Sequence, residues 1–181
     1  LPTLGVMELS GDVAEYERIV SALVALSPLP VVFEAFPGAA KGYCSYVEQR
    51  IVIQPGMSQV QTIKTLVHEV AHAKLHSPLD ILEETRPDRS TREVEAESVA
   101  YVVCQHFGID TADYSFAYVA DWSRGKDLEV LKASIGRIHA LAAELIAGIE
   151  GPEKELQKAP SHRQRKAGRT ARRRRQDAPA R

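Results

Sequence analysis

His68-Glu69-Val70-Ala71-His72 is the stretch of this chain best suited to chemistry. On a helix, positions four apart share one face about one turn apart, so both imidazoles can address a single ion. Zinc takes nitrogen ligands at about 2.0–2.1 Å, and catalytic zinc sites combine three protein ligands with water. Glu69 would fall beside such an ion without ligating it together with both histidines. From there it can take a proton from the water that the ion polarises and pass it to a leaving amine, which is the chemistry of peptide-bond hydrolysis. By average residue usage, a chance HExxH in a chain this long is expected on the order of once in 200 proteins. The competing reading, two histidines on a surface helix, loses ground because the motif sits in a capped amphipathic segment with a candidate third ligand downstream.

That third ligand is expected from a later helix. Arg92-Glu93-Val94-Glu95-Ala96-Glu97-Ser98 offers three carboxylates. Glu93 and Glu97 share a helix face, whereas Glu95 points roughly away and reads as a solvated charge. The pattern favours Glu93 as ligand and Glu97 as the partner behind a ligand histidine, with Glu97 as the alternative ligand. Glu93 also has a rival role, because Ser90 and Glu93 stand at capping-box spacing. His76, one turn beyond His72, reads as structural or solvent-facing, and His106 and His139 as packed or exposed. Tyr114, Tyr118 and Trp122 recur every four residues, the pattern of a core-facing aromatic stripe. Within it, Tyr118 is the candidate donor to a tetrahedral oxyanion.

The elements that must position these residues follow from periodicity. Residues 12–26 read as an amphipathic helix, stopped by Ser27-Pro28-Leu29-Pro30. Three runs rich in Val, Ile, Tyr and Phe, at 31–36, 42–47 and 50–54, predict a small antiparallel sheet. Ser58 and Gln61 have capping-box spacing ahead of a helix over 58–76, with Ile63, Leu66, Val67, Val70 and Ala71 as its buried stripe. A loop over 77–89 precedes a helix over 90–107, which Gly108 can close in the left-handed conformation. Two more helices are expected over 114–123 and 128–149. The expected architecture is α+β, a small antiparallel sheet followed by a helical bundle that carries the HExxH helix.

The bulk numbers bound the rest. With 181 residues, 44% hydrophobic and 26% charged, the chain can build one domain with a real core. No apolar run approaches the roughly 20 residues that cross a bilayer, so no membrane partner is expected. No signal peptide opens the chain, and it starts on Leu1, which reads as processing or as a piece of a longer protein. Cys44 and Cys104 form no CxxC pair and read as buried thiols in a reducing compartment, which points to the cytoplasm. The net charge of −1 conceals an asymmetry. Residues 151–181 hold 11 basic and 3 acidic side chains, a net of +8, and leave −9 on residues 1–150. Residues 1–150 are expected to form the domain and 151–181 a basic, disordered tail able to contact nucleic acid nonspecifically.

Thr65-Leu-Val-His-Glu-Val-Ala-His-Ala-Lys-Leu-His76 resembles the active-site helix of the ImmA/IrrE-type metallopeptidases. Glu93-x-x-Ala96-Glu97 resembles their ligand helix, where the last position is commonly Asn or Asp. Residues 97–109 and Ala117-Tyr-Val-Ala-Asp-Trp122 are similar to the metallopeptidase half of ArdC-type antirestriction proteins and to LtrC-type proteins of mobile elements. The resemblance covers residues 9–149. It implies a zincin-like (gluzincin) fold with one Zn2+ held by His68, His72 and Glu93, Glu69 as general base, and a gene on a mobile element. ArdC-type proteins also carry an N-terminal domain that binds single-stranded DNA. Nothing here corresponds to it, so the chain reads as the C-terminal part of a longer polyvalent protein. Two functions are in play. One is a metallopeptidase that cuts an intracellular protein partner, such as a repressor, and binds it along a sheet edge. The other is an antirestriction or DNA-associated binding protein with a structural or vestigial zinc site. Glu69 favours the first, because a structural site has no need of a base.

Overall fold

Ile51, Val52 and Ile53 form an unbroken apolar run, the mark of a strand covered on both faces, and all three are buried. They belong to β3 (Arg50–Ile53), which lies between β1 (Val31–Phe33) and β2 (Gly42–Ser45). The computed structural model describes residues 11–78, 86–111, 122–123 and 125–151. All but Gly151 fall in one compact unit, Leu1–Glu150.

The sheet is mixed, which corrects the antiparallel expectation. β2 runs antiparallel to β3, with Cys44 beside Ile51, but β1 runs parallel to it, with Val31 beside Ile51 and Phe33 beside Ile53. The reason lies in the connections. Residues 46–49 reverse the chain tightly between β2 and β3, with Gln49 at a φ of 53°. Residues 34–41 are long enough to carry the chain past the slot that β3 fills. Pro37 and Gly38 in that stretch read equally well as a hairpin turn, so three consecutive short strands suggested a meander.

Four helices complete the described unit: α1 (Tyr16–Leu26), α2 (Gln59–Leu75), α3 (Arg89–His106) and α4 (Leu128–Glu150). α2 lies at the centre and packs against α1, α3, β2 and β3. Its expected stripe of Ile63, Leu66, Val67, Val70 and Ala71 is buried. Burying each of the larger ones contributes about 1.5–3 kcal/mol. Ile19 and Leu23 of α1 and Leu141, Leu145 and Ile149 of α4 join the same core. Ser58 caps α2 by accepting the Gln61 N–H at 3.1 Å. The Gln61 side-chain amide donates to Thr65 Oγ1 one turn on.

α3 starts earlier than its sequence pattern suggests. Its cap is Asp88, whose Oδ1 accepts the Thr91 N–H at 2.7 Å. The Ser90–Glu93 capping box therefore does not form, and Glu93 is available for other work. At the far end Gly108 takes a φ of 69° and the Ile109 N–H returns to the Cys104 carbonyl. Gly42 serves a different end: a Cβ there would stand 2.7 Å from Thr65 Cγ2 and 3.0 Å from the Val52 carbonyl oxygen. The missing side chain lets β2 lie directly on α2. Among the described residues no helix is long and apolar enough to cross a membrane. The expected helix over 114–123 falls largely outside the described residues, as does the basic tail beyond Gly151.

Candidate metal centre

Lys64, His68 and His72 on α2 and His76 at its C-terminal cap follow one another at four-residue spacing and make one polar seam along the helix. α3 packs across this helix and sets Glu93, Glu95 and Glu97 against the seam. His68 Nε2 and His72 Nε2 stand 3.1 Å apart, and each is 3.6 Å from Glu93 Oε2. Three atoms about 2.0–2.1 Å from a tetrahedral ion are about 3.3–3.4 Å from one another. Two imidazoles and one carboxylate at these separations thus fit a zinc-like divalent cation in both donor type and geometry. All three residues are partly exposed.

The atoms behind the triad are also placed. His68 Nδ1 lies 3.3 Å from Glu97 Oε2, and Glu97 Oε1 lies 2.7 Å from the Lys64 ammonium. His68 thus has a carboxylate at its rear nitrogen and its Nε2 turned to the triad. His72 Nδ1 lies 3.0 Å from His76 Nδ1. His76 Nε2 lies 3.0 Å from Glu95 Oε2. The Tyr46 hydroxyl donates to the His72 carbonyl at 2.6 Å, fixing the backbone of α2 to the end of β2.

Electrostatics favour positive charge here. Burial works against the His68 imidazolium, yet hydrogen bonds to Glu93 and Glu97 outweigh it and lift its pKa to about 9. His68 and His72 hold the Glu93 carboxyl well below the usual carboxylate range. Glu69 stands next to the triad without joining it. Burial raises its pKa, and the charges of His68 and His72 oppose the rise. The backbone of Cys44 on β2 adds a smaller downward influence on the same carboxyl. Burial, then the nearby Glu69 charge, push the Cys44 thiol up to about 11, so it is a neutral thiol at physiological pH. Cys104 is buried and, like Cys44, unpaired with any cysteine.

The remaining candidates are distributed differently. Glu95, expected to be a solvated charge, is 0% exposed. A helix-face argument placed it away from Glu93 and toward solvent, but His76 meets one of its oxygens and Arg137 of α4 the other. His76 is buried rather than solvent-facing. His106 pairs with Glu150 at the surface and His139 is exposed, so neither approaches the triad. Trp122 Nε1–H donates to Thr91 Oγ1 at 3.0 Å, at the start of α3. Tyr114 and Tyr118 lie outside the described residues. Sequence reasoning missed Lys64, Tyr46 and Arg137. Only Lys64 left a signal, since it stands one turn before His68 on the same face.

Residues 27–116 match the IrrE N-terminal-like domain, a peptidase family. An uncharacterized protein of Bacillus anthracis is 37% identical over 110 residues, which is 60% of this chain and 18% of that protein. The crystal structure of the antirestriction protein ArdC from the R388 plasmid, in its Mn(II)-bound form, aligns with a TM-score of 0.57 at 23% identity. That alignment covers 79% of this chain and 55% of ArdC, and it shows a shared fold. The chain thus spans less than a fifth of the first relative and about half of the second.

Proposed function

Because the chain carries an ImmA/IrrE-type domain related in fold to ArdC, we propose that it is a zinc metallopeptidase that hydrolyses a peptide bond in a protein partner. The observation that carries this reading is the position of Glu69. It is a buried carboxylate that feels the charges of His68, His72 and Glu93 and is not one of the three grouped ligands. A site that only bound a metal for structure would have no use for such a group.

In this reading the fold is of the zincin (gluzincin) type, and His68, His72 and Glu93 hold the zinc. The ion supplies Lewis acidity toward water and the scissile carbonyl. Glu69 accepts the proton of the attacking water and delivers it to the leaving amine. Tyr118 donates a hydrogen bond to the oxyanion that develops on the carbonyl. The partner is an intracellular protein, such as a repressor, and the protein works in the cytoplasm from a gene on a mobile element. The likeness to ArdC supports a second reading: antirestriction by binding, with the metal in a supporting role.

Glu69→Gln separates the two. The variant should keep its zinc and lose cleavage, since a positioned base contributes about 10²–10⁴-fold. Tyr118→Phe should also keep zinc and cut more slowly. Wild-type and Glu69→Gln proteins are incubated with bacterial lysate, and new peptide termini are mapped. Termini made equally by both proteins reject the peptidase reading. Antirestriction activity that survives Glu69→Gln supports the binding reading.

A further inference from the structure

Behind His72, away from the triad, runs a buried chain of polar groups that ends on α4. His72 Nδ1 lies 3.0 Å from His76 Nδ1, and His76 Nε2 lies 3.0 Å from Glu95 Oε2. The Arg137 guanidinium donates to Glu95 Oε1, from Nε at 3.0 Å and from a terminal nitrogen at 2.5 Å. His76 and Glu95 are 1% and 0% exposed. We propose that His76, oriented by Glu95 and Arg137, is a positioning residue that fixes His72 with its Nε2 lone pair turned toward the metal. The proposal rests on the reading that the triad holds a metal.

The argument is a count of protons. Two ring nitrogens 3.0 Å apart need one proton between them. If His72 Nδ1 carries it, His72 Nε2 is bare and can ligate, and His76 Nδ1 is the acceptor. The neutral ring of His76 then carries its own proton on Nε2, opposite Glu95. A carboxylate accepts there and cannot donate, and Arg137 keeps Glu95 ionised. Every donor along the chain then meets an acceptor.

The reverse arrangement fails at both ends. A proton on His76 Nδ1 would leave its Nε2 bare against the Glu95 carboxylate, two acceptors 3.0 Å apart in a buried site. It would also move the His72 proton to Nε2, where it blocks ligation. An imidazolium at His76 would likewise donate to His72 Nδ1, and it would place a further charge in a buried site where Arg137 already balances Glu95. Glu95 thus selects the tautomer of His76, and His76 selects that of His72. A ligand histidine commonly donates its second N–H directly to a carboxylate or carbonyl. His68 does so toward Glu97, whereas His72 reaches its carboxylate through a second imidazole.

The test uses the full chain loaded with zinc. Long-range 1H–15N correlation of the histidine side chains should show His76 protonated on Nε2 alone and His72 protonated on Nδ1. His76→Leu removes the acceptor and should weaken zinc affinity about 10–100-fold, with an altered absorption spectrum after Co(II) substitution. His76→Gln, whose carbonyl oxygen can accept the same proton, should recover most of both. A His76 protonated on Nδ1, or a folded His76→Leu protein with wild-type affinity, overturns the proposal. If His76→Leu does not fold, the wild-type spectrum decides by itself. A wild-type chain that takes up no zinc rejects the metallopeptidase reading and this proposal with it. Zinc uptake with the wrong tautomer rejects the positioning role alone.

Discussion

Glu97 contributes to two properties that can be measured separately. Its carboxylate meets the Lys64 ammonium at 2.7 Å with both side chains 7% exposed, and its other oxygen faces His68 Nδ1. Glu97→Leu strips a buried ammonium of its carboxylate, a change that costs about 3–5 kcal/mol. Against a domain stability of about 5–15 kcal/mol, that is a large fraction. Lys64→Met/Glu97→Leu removes both charges, and apolar replacement of a buried pair is commonly neutral or stabilising. Urea unfolding in EDTA should therefore show a deep loss for the single variant and recovery for the double one. Metal affinity should behave otherwise. In both variants His68 lacks the acceptor for its rear N–H, so zinc binding should be about 10–100-fold weaker in each. Recovery of both stability and affinity in the double variant would mean that Glu97 matters only through its charge. If instead Glu97→Leu loses zinc outright while Glu93→Ala keeps it, Glu97 is the ligand and the division of roles is reversed.

Two further outcomes are expected from parts of the chain outside the triad. Asp88 is held well below the usual carboxylate range, first by Lys126 and then by the Thr91 N–H and Ser90. Its unfolded pKa is about 3.9, so this contribution is complete above that pH and fades as pH falls toward the lower folded value. Asp88→Ala should cost about 0.5–2 kcal/mol at pH 7 and less at pH 3, as read by denaturant unfolding, and an equal cost at both pH values would contradict this account of the cap. Deleting residues 151–181 should abolish any nonspecific nucleic-acid retention, which should fall steeply with salt in the full chain, and leave zinc content unchanged. Equal retention by both proteins rules the basic tail out as the contact.

The sequence disclosed what periodicity and short spacing can encode. The buried stripe of α2 and the cap at Ser58 follow from residues within a turn or two of one another. So does the common face of His68 and His72, and of Glu93 and Glu97. What could not be read depends on which element covers a face. Glu95 looked solvated because nothing in its own helix says that α4 lies over it with Arg137. The sheet looked antiparallel because strand direction depends on how far residues 34–41 travel, which their composition leaves open. The cap of α3 was misplaced because Asp88 and Ser90 are both good caps, and Lys126, 38 residues away, sits on the first.

The charges along the α2–α3 seam indicate what the seam is for. Glu97 is paired with Lys64 and Glu95 with Arg137, each within hydrogen-bond distance. Among the described residues, the Glu93 carboxylate meets only the two histidines, and Glu69 stands close enough to all three to be felt electrostatically. Two carboxylates are thus balanced behind the histidines, while Glu93 and Glu69 leave negative charge at the triad itself. Apolar residues of similar volume commonly hold helices together as well as such pairs do, here α3 to α2 through Lys64 and α3 to α4 through Arg137. Stability therefore does not account for them. Their geometry does, because each balanced carboxylate governs the rear nitrogen of one histidine, directly for His68 and through His76 for His72. Both rings then turn Nε2 to the point where Glu93 brings its carboxylate, a donor set that could hold a divalent cation.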